Sequence, residues 1–207
     1  MTIQEIIATR GISKVLHFTT SNGLLGMLAG KPPSLLPRAQ VKGQEHLEFI
    51  MSLNAPIRKD TAWLNYSSLS IERINKYFFK YSSDIHPDTF WVILAFSPQI
   101  LTHPGVYFAT TNNIYYDVIR EQGSQGLQRL FAPTIQNRSQ TIYRKDTHLP
   151  SYPTDIQAEV LYPGPLSLEH LLKIYVKNSE SKKLIDAQLM TLHQQYEVII
   201  SPENFNA

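Results

Sequence analysis

The chain has 207 residues, 19 Lys and Arg against 17 Asp and Glu, a formal net charge of +2, 43% hydrophobic residues and no cysteine. That length supports a full hydrophobic core in one domain, residues 1–207. The missing cysteine excludes thiolate nucleophiles, disulfides, iron–sulfur clusters and Cys-based zinc sites, so a catalyst here works with oxygen, nitrogen or carboxylate groups.

In chain order, the opening MTIQEIIATRG sustains no apolar signal region, and no run approaches the ~18 apolar residues of a membrane span. The expectation is a soluble cytoplasmic protein with no membrane partner. Ile3, Ile6 and Ile7 share a helical face that stops at Gly11, and Lys14–Thr19 reads as a strand. Ser21 or Asn22 then caps a helix carrying Leu24, Leu25, Met27 and Leu28 and ending near Gly30. Residues 31–58 are irregular, with a helical piece at Glu45–Leu53. Trp63–Ser67 reads as a strand, Ile71–Tyr81 as a helix or long loop, and Trp91–Phe96, apolar throughout, as a fully buried strand. A β-like Val106–Phe108 and a helix over Tyr115–Arg120 follow.

The stretch 133–155 is polar and aperiodic, and a loop of that length in a compact domain is more often functional than accidental. Ile156–Tyr162 reads as a strand, Leu168–Leu172 as one helical turn and Lys173–Val176 as a strand. A helix over Glu180–Gln194, with Leu184, Ile185, Leu189 and Leu192 inward, precedes a last strand, Tyr196–Ser201. Strands dominate with helices between them, which defines an α+β domain.

Phosphate-loop, dinucleotide-fingerprint, zinc-protease and serine-hydrolase signatures are all absent, and no two of the seven histidines sit at metal-ligand spacing. No metal is expected. Polar residues on apolar elements remain. Gln157 and Glu159 share a face in strand alternation, as a site or as a solvated edge. His17 and Thr19 end an apolar strand, as ligand contacts or as a bonded core histidine and a cap. Arg58 and Lys59 precede Trp63–Ser67, as a functional or a solvated pair.

Taken together these elements resemble the DarT family of DNA ADP-ribosyltransferase toxins. Val15-Leu16-His17-Phe18-Thr19-Thr20 with Asn22 and Leu24 is similar to that family's opening motif, and Ile57-Arg58 sits where its arginine stands. Val92–Phe96, then Gly105–Phe108 and Asn112, resemble its central strand pair. Gln157-Ala158-Glu159-Val160-Leu161, followed by Leu171–Val176, resembles its catalytic end. The middle, Trp63-Leu64-Asn65-Tyr66-Ser67-Ser68, leans toward the branch that modifies guanine, with thymine as the alternative base.

The resemblance implies a split mixed sheet flanked by helices and transfer of ADP-ribose from NAD+ to a DNA base with release of nicotinamide. Glu159 and Arg58 would be catalytic, and His17, Phe18, Thr19, Asn22 and Arg58 would hold NAD+. Gln157 and the loop 133–155, through Arg138, Tyr143, Arg144, Lys145 and His148, would receive single-stranded DNA. It implies a toxin working as a monomer, with a cognate ADP-ribosyl-hydrolysing antitoxin as partner. The alternatives are a protein-modifying ADP-ribosyltransferase and a non-catalytic DNA-binding module on the same scaffold.

Overall fold

A computed structural model describes residues 1–41 and 61–206, with side chains through 205. The first helix, α1 (Ile3–Arg10), starts at a Thr2–Glu5 capping box and ends on Gly11 in the left-handed region, φ 66°. Only a residue without a Cβ takes that conformation at little cost, so the isoleucine stripe stops there. Strand β1 (Val15–Thr20) leads directly into α2 (Ser21–Ala29). The cap of α2 is Thr20, whose Oγ1 accepts the Gly23 N–H at 3.0 Å. It is therefore neither Ser21 nor Asn22, because the chain turns one residue earlier than the polar run suggested.

After β2 (Ser34–Leu35) and a short helix α3 (Arg38–Val41), the chain is next described at a 3-10 turn, Thr61–Trp63. Strand β3 (Tyr66–Ile71) begins three residues later than expected, and helix α4 (Lys76–Ile85) follows under an Asn75 cap. Strand β4 (Trp91–Phe96) is buried along its whole length. Val92, Leu94 and Phe96 enter the main core, while Trp91, Ile93 and Ala95 enter a second apolar cluster on the opposite face. An uninterrupted apolar run is what a strand covered on both faces requires.

Strands β5 (Tyr107–Ala109) and β6 (Arg120–Gln122) bracket a turn-rich loop, 110–119. The helix expected over Tyr115–Arg120 is absent. That segment instead closes over the sheet, with Val118 buried against Ala109 and Leu161. Helix α5 (Gly123–Arg129) precedes a hairpin of β7 (Thr134–Asn137) and β8 (Gln140–Tyr143), so the stretch 133–155 carries regular structure. Its strands are only four residues long and mostly exposed, which hides their alternation among polar side chains. Then come β9 (Glu159–Pro163), β10 (Leu166–Ser167), a 3-10 turn at Leu168–His170 and β11 (Leu171–Val176). Helix α6 (Ser179–Thr191) buries Ser181, Ile185 and Leu189. The chain closes with β12 (Glu197–Ile200) and α7 (Glu203–Asn206).

Eight strands form one mixed sheet in the order β12-β11-β4-β1-β3-β9-β5-β6. Only β11 and β12 are parallel, joined through α6; every other pairing in the sheet is antiparallel. Strands β4 and β5 are not neighbours, so the two segments expected as a central pair stand on opposite sides of β1, β3 and β9.

The ladder between β1 and β3 holds only at Val15–Ile71 and Leu16–Ser70, whereas β1 pairs with β4 over six positions. From His17 onward β1 and β3 part, and the sheet splits at its middle. One face carries the continuous main core, packed by α1, α2, α5 and α6. The other carries two smaller clusters, around Phe79 and Trp91 on the β1–β4 side and around Leu161 on the β9–β5 side.

Candidate active site

The split between β1 and β3 and the face between the two small clusters gather the polar residues. Along β3 the burial alternates, Ser67, Leu69 and Ile71 inward and Tyr66, Ser68 and Ser70 toward the second face. On β9, Val160 and Tyr162 belong to the main core, which turns Glu159 to the same second face as Ser68. The register pairs Ser68 with Leu161, so Glu159 is its diagonal neighbour, within reach of a hydroxyl. Ser68 Oγ donates to Glu159 Oε2, and the Asn113 N–H donates to Oε1 at 3.0 Å. Half-buried and held from two elements, the carboxylate does not behave as an ordinary polar residue on a solvated strand.

His17 stands at the point of divergence. Its Nδ1 lies 3.0 Å from the Ser68 carbonyl oxygen, which can only accept, so Nδ1 carries a proton. One backbone atom thus ties His17 to the strand that orients Glu159. Thr19 lies against the first turn of α2, where a Cβ on Gly23 would come 2.2 Å from Thr19 Oγ1. Glycine there leaves the threonine hydroxyl its place at the mouth of the split. Phe18 packs into the apolar cluster on the β1–β4 side of the second face, its ring 5.3 Å from Phe79, 5.6 Å from Phe78 and 6.0 Å from Trp91. Asn22 is exposed on α2 and caps nothing. Arg58 and Lys59 lie outside the described residues, as does the helical piece expected at Glu45–Leu53.

Gln157 sits in a turn just before β9, where Tyr115 donates its hydroxyl to Gln157 Oε1 at 2.9 Å. The guanidinium of Arg138, at the tip of the β7–β8 hairpin, lies 4.1 Å from the centre of the Tyr115 ring. The hairpin tip, the loop 110–119 and the Glu159 strand therefore meet. Buried Asp155 pins all three, accepting from Thr111 Oγ1 and Asn137 Nδ2 at 2.6 Å each and from the Gln157 N–H at 2.9 Å.

The remaining loop residues divide. Tyr143 and Lys145 are exposed. Arg144 is spent on the loop itself, donating to the carbonyls of Tyr152 at 2.7 Å, Leu149 at 2.9 Å and Pro150 at 3.3 Å, and burial lowers its pKa. It is a clamp within the loop and not a cation held out toward an acceptor. His148 accepts the Lys145 N–H at Nδ1, 3.3 Å away. Burial first, then Arg73, Arg144 and Lys145, lower its pKa, so it stays neutral at pH 7.

Sequence patterning missed Ser68, Asn113, Tyr115 and Arg120 as site residues. Ser68 carried the one available signal, a serine on the outward face of a middle strand; the others act through a loop whose apolar spacing imitated a helix. Among the described residues no three His, Asp or Glu side chains gather as metal ligands, and no helix is long and apolar enough to cross a membrane. An open depression of about 470 Å³ beside Leu189, Met190 and Tyr196 lies at the β12 edge, four strands from β9's neighbour β3, and holds none of these residues.

The family model of DarT, described as ssDNA thymidine ADP-ribosyltransferase, matches residues 16–206. No curated protein matches. Among solved structures, Thermus sp. 2.9 DarT in complex with NAD+ superposes with a TM-score of 0.64 at 15% identity, over 93% of this chain and 97% of that one. The same protein in complex with ADP-ribosylated ssDNA gives 0.60 at 13% identity, over 94% and 97%. Thermosipho africanus DarTG in complex with ADP-ribose gives 0.60 at 12% identity over 93% of this chain, which spans about half (51%) of that longer chain. At these identities the structures speak for the fold, and the family model for the family.

Proposed function

The chain belongs to the DarT family and is an NAD+-dependent DNA ADP-ribosyltransferase; we propose that it modifies thymine in single-stranded DNA, with Glu159 as its catalytic carboxylate. The observation that carries the role of Glu159 is its carboxylate, held by Ser68 and the Asn113 N–H on the split sheet beside His17.

In the reaction the bond from ribose C1′ to the nicotinamide nitrogen breaks. Nicotinamide leaves with the electron pair as a neutral base, and positive charge develops on the ribose. The base of the acceptor nucleotide then bonds to C1′ and releases its proton. A carboxylate fixed before the reaction opposes that charge and accepts a hydrogen bond from the ribose 2′-hydroxyl, a contribution of about 10²–10³ in rate. Aspartate, one methylene shorter, would lose both contacts.

The parted strands suit NAD+. His17, Thr19 and the Phe18 backbone would receive the nicotinamide ribose and carboxamide, Arg58 the diphosphate, and Asn22 the outer part of the dinucleotide. On the acceptor side, Gln157 offers a neutral amide suited to a base edge. Arg138, Tyr143 and Lys145 supply charge and a stacking ring for a short single strand. Thymine follows the family's description; the guanine expectation drawn from Trp63–Ser68 has no support there. A cytoplasmic, monomeric toxin with an ADP-ribosyl-hydrolysing antitoxin completes the proposal.

The test is nicotinamide release from NAD+ with single-stranded DNA, duplex DNA, RNA or protein as acceptor, using wild type and Glu159→Gln. Release should require single-stranded DNA and fall at least ~10²-fold in Glu159→Gln at unchanged melting temperature. Release with protein alone, or undiminished release by Glu159→Gln, would overturn the proposal.

A further inference from the structure

Across the second face, the registers align Arg120 on β6 with Ala109 on β5, and Ala109 with Glu159 on β9. Arg120 is thus two strands from the carboxylate, a span of roughly 10 Å between backbones. The residue between them is a fully buried alanine, which leaves the long side chain a path across the sheet. The guanidinium takes it. Its Nε donates to Asn113 Oδ1 and its NH2 to the Asn113 backbone carbonyl, so both arms hold one residue from two sides. The plane also sits 5.4 Å from the centre of the Trp63 ring, which packs with Tyr66 and Tyr107.

Asn113 is the residue whose N–H meets Glu159 Oε1, and it is itself 2% exposed, with its Nδ2 unpartnered among the described residues. Among the described residues, Arg120 holds the side chain and the carbonyl of the residue that carries that N–H. We propose that Arg120 is a positioning residue for the reaction: it clamps Asn113 so that the 110–119 loop presents its N–H to Glu159, and its fixed charge favours the ionised carboxylate. The two groups sense one another, since burial lowers the pKa of Arg120 while the Glu159 charge raises it. Arginine stays cationic under both influences. The role rests on Glu159 acting as proposed above.

The experiment measures nicotinamide release with a thymine-containing single strand, across the pH range where a carboxylate titrates, for Arg120→Met, Arg120→Lys and Asn113→Ala. Arg120→Met should lose ~100-fold in kcat while KM for NAD+ stays within about threefold, the split expected of an interaction made in the transition state. Its acid limb should move to higher pH, because a cation near the carboxylate has been removed. Arg120→Lys should restore the acid limb without the rate, since an ammonium keeps the charge but cannot grip Asn113 from two sides.

Melting temperatures accompany each variant. A folded Arg120→Met with wild-type kcat and an unmoved acid limb overturns the proposal. If Arg120→Met fails to fold, Asn113→Ala decides: a loss in kcat at constant KM supports it and an unchanged kcat overturns it. Wild type without turnover would instead refute the activity on which the role depends.

Discussion

Two loops border Glu159, and each is held by a half-buried arginine, but the two arginines do different things. In the stretch 144–155, Arg144 binds the carbonyls of Leu149, Pro150 and Tyr152 and so closes the loop on itself. In the loop 110–119, Arg120 binds Asn113, which binds the carboxylate. Burial lowers both pKa values, yet the charge of Glu159 reaches only Arg120. The same device, a guanidinium satisfying backbone oxygen atoms, builds a rigid surface in one place and an aligned reactive group in the other. Which partner the held residue faces, and not the arginine itself, decides the difference.

The sharpest break in that comparison is Arg144→Met set beside Arg120→Met. Removing Arg144 strips several carbonyls of their donor and should cost about 1–3 kcal/mol of stability, read as a fall of several degrees in melting temperature. Nicotinamide release should keep its kcat at saturating acceptor, with KM for the single strand raised as the loop loosens. The opposite pattern, a lost kcat with KM unmoved, would place Arg144 beside the chemistry and erase the distinction.

A smaller effect concerns His148 in the same loop. Its pKa is lowered in the fold, so between that value and the unfolded value of about 6.5 the unfolded chain binds more protons. The contribution of this group is complete above about pH 6.5 and is lost as pH falls toward the folded pKa. His148→Gln should flatten the decline of melting temperature below that pH. An unchanged slope would mean that other groups, such as His103, whose pKa burial and His170 also lower, govern it.

Much of this is legible in the sequence. Trp91–Phe96 could be placed because a six-residue apolar run bounded by polar residues fits a strand covered on both faces. Ile3, Ile6, Ile7 and Gly11 marked α1 and its end, and Glu159 and His17 stand out as polar residues on apolar strands, which Ser68 links in the fold through its hydroxyl and its carbonyl. The loop 110–119 failed because Ile114, Val118 and Ile119 repeat at helical spacing while serving as exposed or cluster-facing residues of an irregular loop. Arg120 was invisible for another reason. Its meaning lies in the register of three strands, β6, β5 and β9, which aligns Arg120, Ala109 and Glu159 although no local period in the sequence relates them. Arg144 was overread because a basic residue in a polar stretch looks solvated until the carbonyls around it are known.

The most direct test of the account is base-resolved. The wild-type protein, NAD+ and single-stranded oligonucleotides each containing one kind of candidate base in an otherwise inert strand are followed by mass spectrometry of the DNA. The expected result is one ADP-ribosyl addition on the thymine-containing strand, absent with Glu159→Gln. Addition confined to the guanine-containing strand would contradict the assigned base, and no addition to any strand would contradict the assigned function.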